Sequence, residues 1–218
     1  MRLHIKTSGT KEVIPFNYQP ILTGAIHKWL GWNKEHGKVS LYSFSWLRNG
    51  EANKKGIKFI NGAYFFLGST DQNLLKEIYK GIMKDPEIGF GLRVIEITIQ
   101  EDPVFESNTV FHVASPVLVK GKIGDRIKHY SFNEIESDEI LTTTMKTKLK
   151  IAGIDEEGIN IRFERDYLKP RVKVIHYKGI GNKVNICPVR ITGTPEQIAF
   201  AWNVGVGNST GIGFGALK

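Results

Sequence analysis

The fold is set by the opening stretch of the sequence, RLHIKTSGTKEVIPFNYQPILTGAIHKWLGW, residues 2–32. Residues 2–6 alternate between polar and apolar side chains, a period of two that predicts a β-strand. Between about Tyr18 and Trp32 the apolar residues recur at helical spacing. They are Ile21, Leu22, Ala25, Ile26, Trp29 and Leu30. A strand followed directly by an amphipathic helix is typical of folds built from β-α-β units.

The rest of the first half extends this order. Residues 39–47 form a strand-like run, and residues 58–67 predict strands broken by a hairpin turn at residues 61–62, which are Asn-Gly. Residues 69–71 are candidate helix caps. The apolar stripe of the helix that they open consists of Leu74, Leu75, Ile78, Ile82 and Met83. Residues 92–99 alternate again and predict a closing strand, which completes the order β-α-β-β-α-β.

The second half repeats this order without repeating the sequence. Strands are predicted at residues 110–119 and 159–163, as a hairpin at 168–177 with 184–191, and at 211–217. Helices are predicted at residues 133–151 and from Thr194 to about Val204. The second of these helices begins with Thr-Pro-Glu-Gln, the pattern of a capping box with proline at the first helical position.

The pattern therefore predicts an α+β protein of two tandem ferredoxin-like (RRM-like, β-α-β-β-α-β) domains with a C-terminal glycine-rich loop. The first domain is placed at residues 1–103 and the second at residues 104–218. No apolar run approaches the roughly 18 residues that a membrane helix needs. The N-terminus turns polar within four residues, unlike a signal peptide. The single cysteine, Cys187, excludes an internal disulfide and a Cys-based zinc site. We expect a soluble, cytoplasmic protein.

The charge of the chain favours a polyanionic partner. Thirty Lys and Arg against 22 Asp and Glu give a net charge of +8 and an isoelectric point near 9.4. No acidic residue occurs between Tyr167 and Pro195. The basic residues of this segment are Lys169, Arg171, Lys173, Lys178, Lys183 and Arg190. Such a stripe suits contacts with phosphates, and the alternative is an ordinary solvated face.

The chain ends in GVGNSTGIGFGALK, residues 205–218. Its glycines are Gly205, Gly207, Gly211, Gly213 and Gly215. A loop of this kind either lets a phosphate approach the backbone or packs tightly against a neighbouring segment. The Gly-Lys-Ser/Thr of a P-loop is absent, and the glycine spacing does not fit a dinucleotide-binding fingerprint. These absences argue against the rival reading of a nucleotide-binding enzyme.

Four stretches together resemble the RAMP superfamily of CRISPR-associated proteins, and within it the endoribonucleases that cleave precursor CRISPR RNA in its repeats. They are PFNYQPILTGAIHKWL (residues 15–30), EHGKVSLYSFSWL (35–47), SPVLV (115–119) and the glycine motif from Gly205 to Gly213. The resemblance implies two ferredoxin-like domains and a soluble RNA-processing enzyme. It also implies precursor CRISPR RNA as the partner, with effector-complex subunits and a second copy of the chain as further candidates.

The reaction that the resemblance implies needs no metal and no cofactor. The ribose 2′-OH attacks the neighbouring phosphate, leaving a 2′,3′-cyclic phosphate and a 5′-OH, so a base, an acid and a stabilising cation are required. The sequence contains no carboxylate or histidine cluster with ligand spacing such as H-x-x-x-H or D-x-D. The alternative within the same superfamily is a non-catalytic subunit that only holds guide RNA.

Three residues are candidates for this chemistry. His36 lies in the loop that carries the catalytic histidine of the family, and a solvent-exposed residue without a role is the alternative reading of this position. His27 occupies a position where the family often has a tyrosine. It points about 150° away from the middle of the apolar stripe of its helix, and therefore out of the core. Lys38 is the nearest candidate for the stabilising cation.

Two groups of residues are candidates for contact with RNA. The first consists of Lys169, Arg171, Lys173, Lys178 and Lys183, and the second of the five loop glycines. His129 and His176 lie in basic surroundings, which favours contact with RNA over catalysis. Tyr42, Phe44 and Trp46 share one face of a predicted strand, where core packing is favoured over base stacking.

Overall fold

The computed structural model describes residues 1–31 and 39–218. In the first half the elements are β1 (Arg2–Thr7), α1 (Gln19–Leu30), β2 (Tyr42–Phe44), β3 (Glu51–Asn53), β4 (Gly56–Lys58), β5 (Tyr64–Ser69), α2 (Gln72–Lys84), β6 (Glu87–Gly89) and β7 (Leu92–Gln100). The main sheet has the order β2-β5-β1-β7-β6, and neighbouring strands are antiparallel. The predicted ferredoxin-like order is present, with the small hairpin β3–β4 inserted.

The second half contains β8 (Asn108–Phe111), β9 (Val117–Leu118), β10 (Lys120–Ile123), β11 (Arg126–His129), α3 (Glu136–Ala152), β12 (Asn160–Phe163), β13 (Arg171–Tyr177), β14 (Ile180–Ile186), β15 (Val189–Thr192) and α4 (Pro195–Val204). Its sheets have the orders β12-β15-β8 and β13-β14-β9, and β10 pairs with β11. A 3₁₀ turn follows at Thr210–Ile212. The α+β class with two tandem ferredoxin-like domains is confirmed.

Each half has its own hydrophobic core. The fully buried residues of the first cluster lie between Leu3 and Val94, and those of the second between Phe111 and Leu217. In the first half α1 and α2 cover one face of the sheet, because their apolar stripes meet the inward-facing Leu3 and Ile5 of β1. Tyr42 and Phe44 are buried, as core packing of that face predicts. The domain boundary near residue 103 stays a prediction.

Two helix starts confirm sequence patterns. The side chain of Asp71 accepts hydrogen bonds from the backbone N–H groups of Asn73 and Leu74. Thr194 and Gln197 form the complete capping box, in which each side chain bonds the backbone of the other residue. Both caps satisfy backbone donors that the first turn of a helix leaves without partners.

Three of the predictions made from the sequence about strands and their turns are wrong. The hairpin turn lies at residues 54–55, between β3 and β4, whereas residues 61–62 connect β4 to β5, which pairs with β1 and β2. The segment 184–191 divides into β14 and β15 around Pro188, which has no N–H for a strand ladder. The strand predicted at 211–217 is a 3₁₀ turn and a single bridge from Leu217 to Val113, because glycines with positive φ interrupt the extended backbone.

The two halves are joined through Arg2. Its guanidinium lies 3.3 Å from the ring centre of Trp202 in α4 and 4.1 Å from that of Phe66 in β5. It also donates a hydrogen bond to the carbonyl of Trp202. Burial lowers the pKa of Arg2 to about 8, an effect that the carboxylate of Asp102 partly opposes. Arg2 therefore holds the helix of one half against the sheet of the other.

Candidate active site and nucleic-acid interface

The glycine-rich loop follows α4 and is packed into the protein. All five of its glycines are buried. A Cβ atom on Gly215 would lie 1.9 Å from the carbonyl oxygen of Val206, and one on Gly207 would lie 2.5 Å from that of Leu118. Both glycines also have positive φ, of 69° and 71°. Close packing against the protein's own backbone therefore explains why these two positions are glycine.

Side chains of the N-terminal half hold the loop by its carbonyl groups. Three consecutive carbonyls accept a hydrogen bond from that half: Gly211 from Tyr42 Oη (3.1 Å), Ile212 from Gln19 Nε2 (2.5 Å) and Gly213 from Trp46 Nε1 (2.8 Å). The donors come from α1, from β2 and from the segment that follows β2. The end of the chain is thereby brought to the candidate catalytic region of the first domain.

His27 faces this loop. Its Nε2 lies 3.2 Å from the hydroxyl of Tyr42, and the ring is half-buried. The hydroxyl of Tyr42 donates a hydrogen bond to the carbonyl of Gly211. Tyr42 therefore links His27 to the glycine-rich loop.

The other two catalytic candidates, His36 and Lys38, lie outside the described residues. The described chain stops at Gly31, directly after the last turn of α1, and resumes at Val39, three residues before β2. His27 and Tyr42 are therefore on the two elements that flank the segment carrying His36 and Lys38. The roles of all three candidates stay predictions.

Lys148 of α3 is a buried cation that sequence reasoning did not single out. Its ammonium donates to the carbonyls of Gly205 (3.0 Å) and Val204 (3.4 Å) and to Thr210 Oγ1 (3.3 Å). Its side chain is 2% exposed, and desolvation lowers the pKa of Lys148 to about 7. Lys148 ties the end of α4 to the 3₁₀ turn of the loop. The sequence signal was weak, because a lysine in a helix is usually exposed.

Lys148 should make stability depend on pH in the alkaline range. The unfolded chain keeps the ordinary pKa of 10.5 and the folded protein titrates near 7, so between these values the unfolded state binds more protons. Below pH 7 the folded protein bears the full free-energy cost of burying a charged ammonium. This cost is relieved as the pH rises towards 10.5. We expect the free energy of unfolding of the wild type to rise relative to Lys148→Met, by up to about 1.4 kcal/mol per pH unit.

Chemical denaturation at several pH values between 7 and 10 measures this difference. Lys146→Met, at a half-exposed position of the same helix, is the matched control and should follow the wild type. Parallel pH curves for the wild type and Lys148→Met would show that the buried ammonium is not desolvated as described.

The predicted basic segment forms the hairpin β13–β14. Lys169, Arg171, Lys173 and Lys178 are exposed along it. Lys183 is half-buried, with its ammonium 4.0 Å from the carboxylate of Glu134. Arg190, in contrast, is held by Glu164 through two hydrogen bonds of 2.6 Å and 3.2 Å, so its charge is neutralised within the protein.

A second basic hairpin, β10–β11, was missed from the sequence. Its segment reads KGKIGDRIKH and carries Lys120, Lys122, Arg126 and Lys128. The alternation on both sides of Gly-Asp was the available signal. Lys120 lies beside the glycine-rich loop, with its Nζ 3.2 Å from Ser209 Oγ. The described part of the chain contains no group of three His, Cys, Asp or Glu side chains placed to hold a metal, and none of its helices is long and apolar enough to cross a membrane.

Two ferredoxin-like domains joined by a glycine-rich terminal loop define a RAMP-type protein. The chain belongs to the Cas6 family, because the family described as CRISPR associated protein Cas6, C-terminal, matches residues 100–218. The family resemblance predicted from the four sequence motifs is thus confirmed, and with it the assignment to CRISPR-associated proteins.

Individual relatives agree over the whole length. A CRISPR-associated endoribonuclease-like protein Cas6 of Pyrococcus furiosus is 25% identical over 238 residues, which cover 100% of this chain and 98% of the relative. A solved structure of a CRISPR associated protein Cas6 superposes with a TM-score of 0.85 at 23% identity, and a RAMP protein that binds different RNA substrates with 0.84 at 20%. In both cases 100% of this chain and 98% of the other are covered, which shows the shared fold.

Proposed function

We propose that this protein is a metal-independent endoribonuclease that cuts precursor CRISPR RNA within its repeats. The observation that carries the proposal is the hydrogen-bonded series from His27 through Tyr42 to Gly211, which links a half-buried histidine to the glycine-rich loop. Histidine can take or give a proton near neutral pH. Membership of the Cas6 family supports RNA as the molecule on which this histidine acts.

The proposed reaction divides three tasks among the candidates. One of His27 and His36 takes the proton of the 2′-OH and the other protonates the leaving 5′ oxygen. Lys38 stabilises the charge that develops on the phosphorane. The 2′ oxygen forms a bond to phosphorus as the bond to the 5′ oxygen breaks, so the products are a 2′,3′-cyclic phosphate and a 5′-OH.

The RNA would be held by Lys169, Arg171, Lys173, Lys178 and Lys183 and by the loop of Gly205, Gly207, Gly211, Gly213 and Gly215. Because the glycines are buried and their carbonyls are partly occupied, the loop contributes to binding mainly by shape and by its half-buried residues Asn208 and Ser209. The exposed cations of β13 supply the electrostatic part of the affinity.

The direct test is to incubate the protein with the CRISPR repeat RNA of its own genome in EDTA and to sequence and chemically characterise the ends. Cleavage at one position in the repeat, insensitive to EDTA, with a cyclic phosphate on the upstream fragment, is the expected result. Tight binding without cleavage would instead indicate the non-catalytic alternative, a RAMP subunit that only holds guide RNA.

Removing the positive charges of β13 and of the residues just before it should change the salt dependence of RNA binding. For Lys169→Gln, Arg171→Gln and Lys173→Gln combined, we expect weaker binding and a slope of log K against log salt that is shallower by up to about two, at roughly 0.7 per lost contact with single-stranded RNA. The control combines Lys54→Gln, Lys55→Gln and Lys84→Gln, exposed lysines of the N-terminal half. Identical slopes for both triple variants would show that the basic residues of the hairpin form a solvated face and do not contact RNA.

A further inference from the structure

Three basic side chains meet beside the glycine-rich loop. Lys120 opens β10 and His129 closes β11, and the two residues are register partners in the hairpin. Lys183 lies on the neighbouring strand β14, where its backbone N–H donates to His129 Nδ1 at 3.2 Å. All three side chains are half-buried, and the charges of Lys120 and Lys183 both act on His129, so the three groups lie within electrostatic reach of one another.

This cluster has little negative charge to balance it. Among the described residues, the carboxylate that ion-pairs with it is that of Glu134, 4.0 Å from Lys183 Nζ. Glu134 is already engaged at shorter range by Lys128 at 2.6 Å and by the N–H and hydroxyl of Ser131 at 2.7 Å and 2.9 Å. These bonds lower the pKa of Glu134 to about 2, so its carboxylate is ionised and already bonded to Lys128 and Ser131.

The cluster also adjoins the accessible part of the loop. The backbone N–H of Lys120 donates to Asn208 Oδ1 at 2.7 Å, and its ammonium lies 3.2 Å from Ser209 Oγ. These two loop residues are half-buried, whereas the glycines on both sides of them are buried. A ligand at the cluster would therefore touch the loop at Asn208 and Ser209.

We propose that Lys120, His129 and Lys183 bind one phosphodiester group of the RNA, distinct from the scissile phosphate at His27. The two ammonium groups supply charge, and Ser209 adds a hydroxyl. His129 donates from Nε2, because its Nδ1 accepts the N–H of Lys183. Charged donors of this kind form strong hydrogen bonds with phosphate oxygens. This assignment rests on the proposed function only in taking RNA as the ligand.

Binding at this site should take up a proton. Burial and then the charges of Lys120 and Lys183 lower the pKa of His129 in the free protein, and Glu134 and Lys128 are the other charged groups beside the cluster. A phosphodiester favours the imidazolium, so the pKa of His129 rises on binding. Affinity is therefore greatest below the pKa of the free protein and falls as the pH rises through the pKa of the complex.

The test measures affinity for a repeat RNA with 2′-deoxyribose at the cleavage site, which removes the nucleophile. Lys120→Gln, His129→Gln and Lys183→Gln should each weaken binding about tenfold, the value of one charge-assisted hydrogen bond. Each lysine variant should also flatten the salt slope by about 0.7. Lys183→Arg should keep the affinity, and Lys84→Gln, exposed on α2, is the neutral control. Loss of the pH dependence of binding is expected for His129→Gln alone.

Methylphosphonate substitution locates the phosphate. One neutral linkage in the RNA should weaken binding to the wild type more than it weakens binding to His129→Gln, because in the variant that linkage has already lost one of its contacts. The proposed phosphate site would be wrong if His129→Gln bound the RNA with wild-type affinity. It would also be wrong if the effects of His129→Gln and of the neutral linkage were strictly additive at every linkage. If this RNA is bound in this way but the unmodified repeat RNA is never cut, the phosphate site stands and the proposed endonuclease activity fails.

Discussion

His27→Ala is expected to slow cleavage of the repeat RNA by about 10²–10⁴-fold, the usual contribution of a general acid or base. The ring Nε2 lies 3.2 Å from the hydroxyl of Tyr42, which places the imidazole beside the glycine-rich loop. Because the histidine is half-buried, truncation removes the proton-transfer group without opening a large cavity. RNA affinity should stay close to that of the wild type.

Single-turnover cleavage at saturating RNA in EDTA separates the chemical step from binding. His112→Ala, an exposed histidine of the second half, is the matched control and should cleave at the wild-type rate. Tyr42→Phe should show a smaller loss than His27→Ala, since it removes the hydroxyl that contacts the ring and the Gly211 carbonyl but keeps the imidazole that transfers the proton. A wild-type rate for His27→Ala would move proton transfer to His36, for which His36→Ala is the corresponding variant.

The mechanism itself depends on the substrate's 2′-OH. RNA with a single 2′-deoxyribose at the cleavage site is expected to bind and to remain intact, because its internal nucleophile is missing. Cleavage of this RNA at the same position would mean that water or another nucleophile attacks the phosphate, and the proposed transesterification would then be wrong whichever histidine is involved.

Gly215→Ala is expected to lower the free energy of unfolding by roughly 2–5 kcal/mol. A left-handed conformation costs a non-glycine residue about 1–2 kcal/mol, and forcing an extra methyl into a packed site costs about 1–3 kcal/mol more. At Gly215 the methyl would lie 1.9 Å from the carbonyl oxygen of Val206, and that atom belongs to the backbone of the same loop. Either the loop shifts or the fold is destabilised.

Gly158→Ala isolates the first of these two costs. Gly158 has a similar φ of 77°, but a Cβ there would meet no other atom within 4 Å. Denaturant unfolding of the two variants should therefore differ by the packing cost alone, about 1–3 kcal/mol. Equal destabilisation would mean that the loop yields readily at Gly215 and that close packing against the Val206 carbonyl does not require glycine there.

The sequence alone determined the class of the protein and the order of its elements. Helical periodicity in α1 and α2 and alternation in β1 and β7 are local patterns, since each reports which side of one element faces a core. The capping box at Thr194 is equally local, because all of its hydrogen bonds join residues within one turn. Such features can be read from a window of a few residues. The family resemblance rested on four such stretches taken together, of which the glycine motif is one.

What the loop glycines contact was decided only by the tertiary structure. Their spacing left open whether they admit a phosphate or the protein's own chain, and the neighbours of Gly207 and Gly215 are carbonyl oxygens of the protein. The basic hairpin β10–β11 and the separation of β14 from β15 were likewise missed from the sequence, because short strands of mixed polarity carry only a weak periodic signal.

The candidate active site shows most clearly that some contacts join residues far apart in the sequence and cannot be predicted from one segment. Tyr42 is 15 residues from His27 and 169 residues from Gly211, yet its hydroxyl bonds both. Lys148 reaches the loop across 57 residues to Gly205 and 62 residues to Thr210. The sequence named His27 as a residue that faces away from the core. Its partner Tyr42 and the buried cation beside the loop follow from how the sheets and helices of the two halves pack, which no single segment encodes.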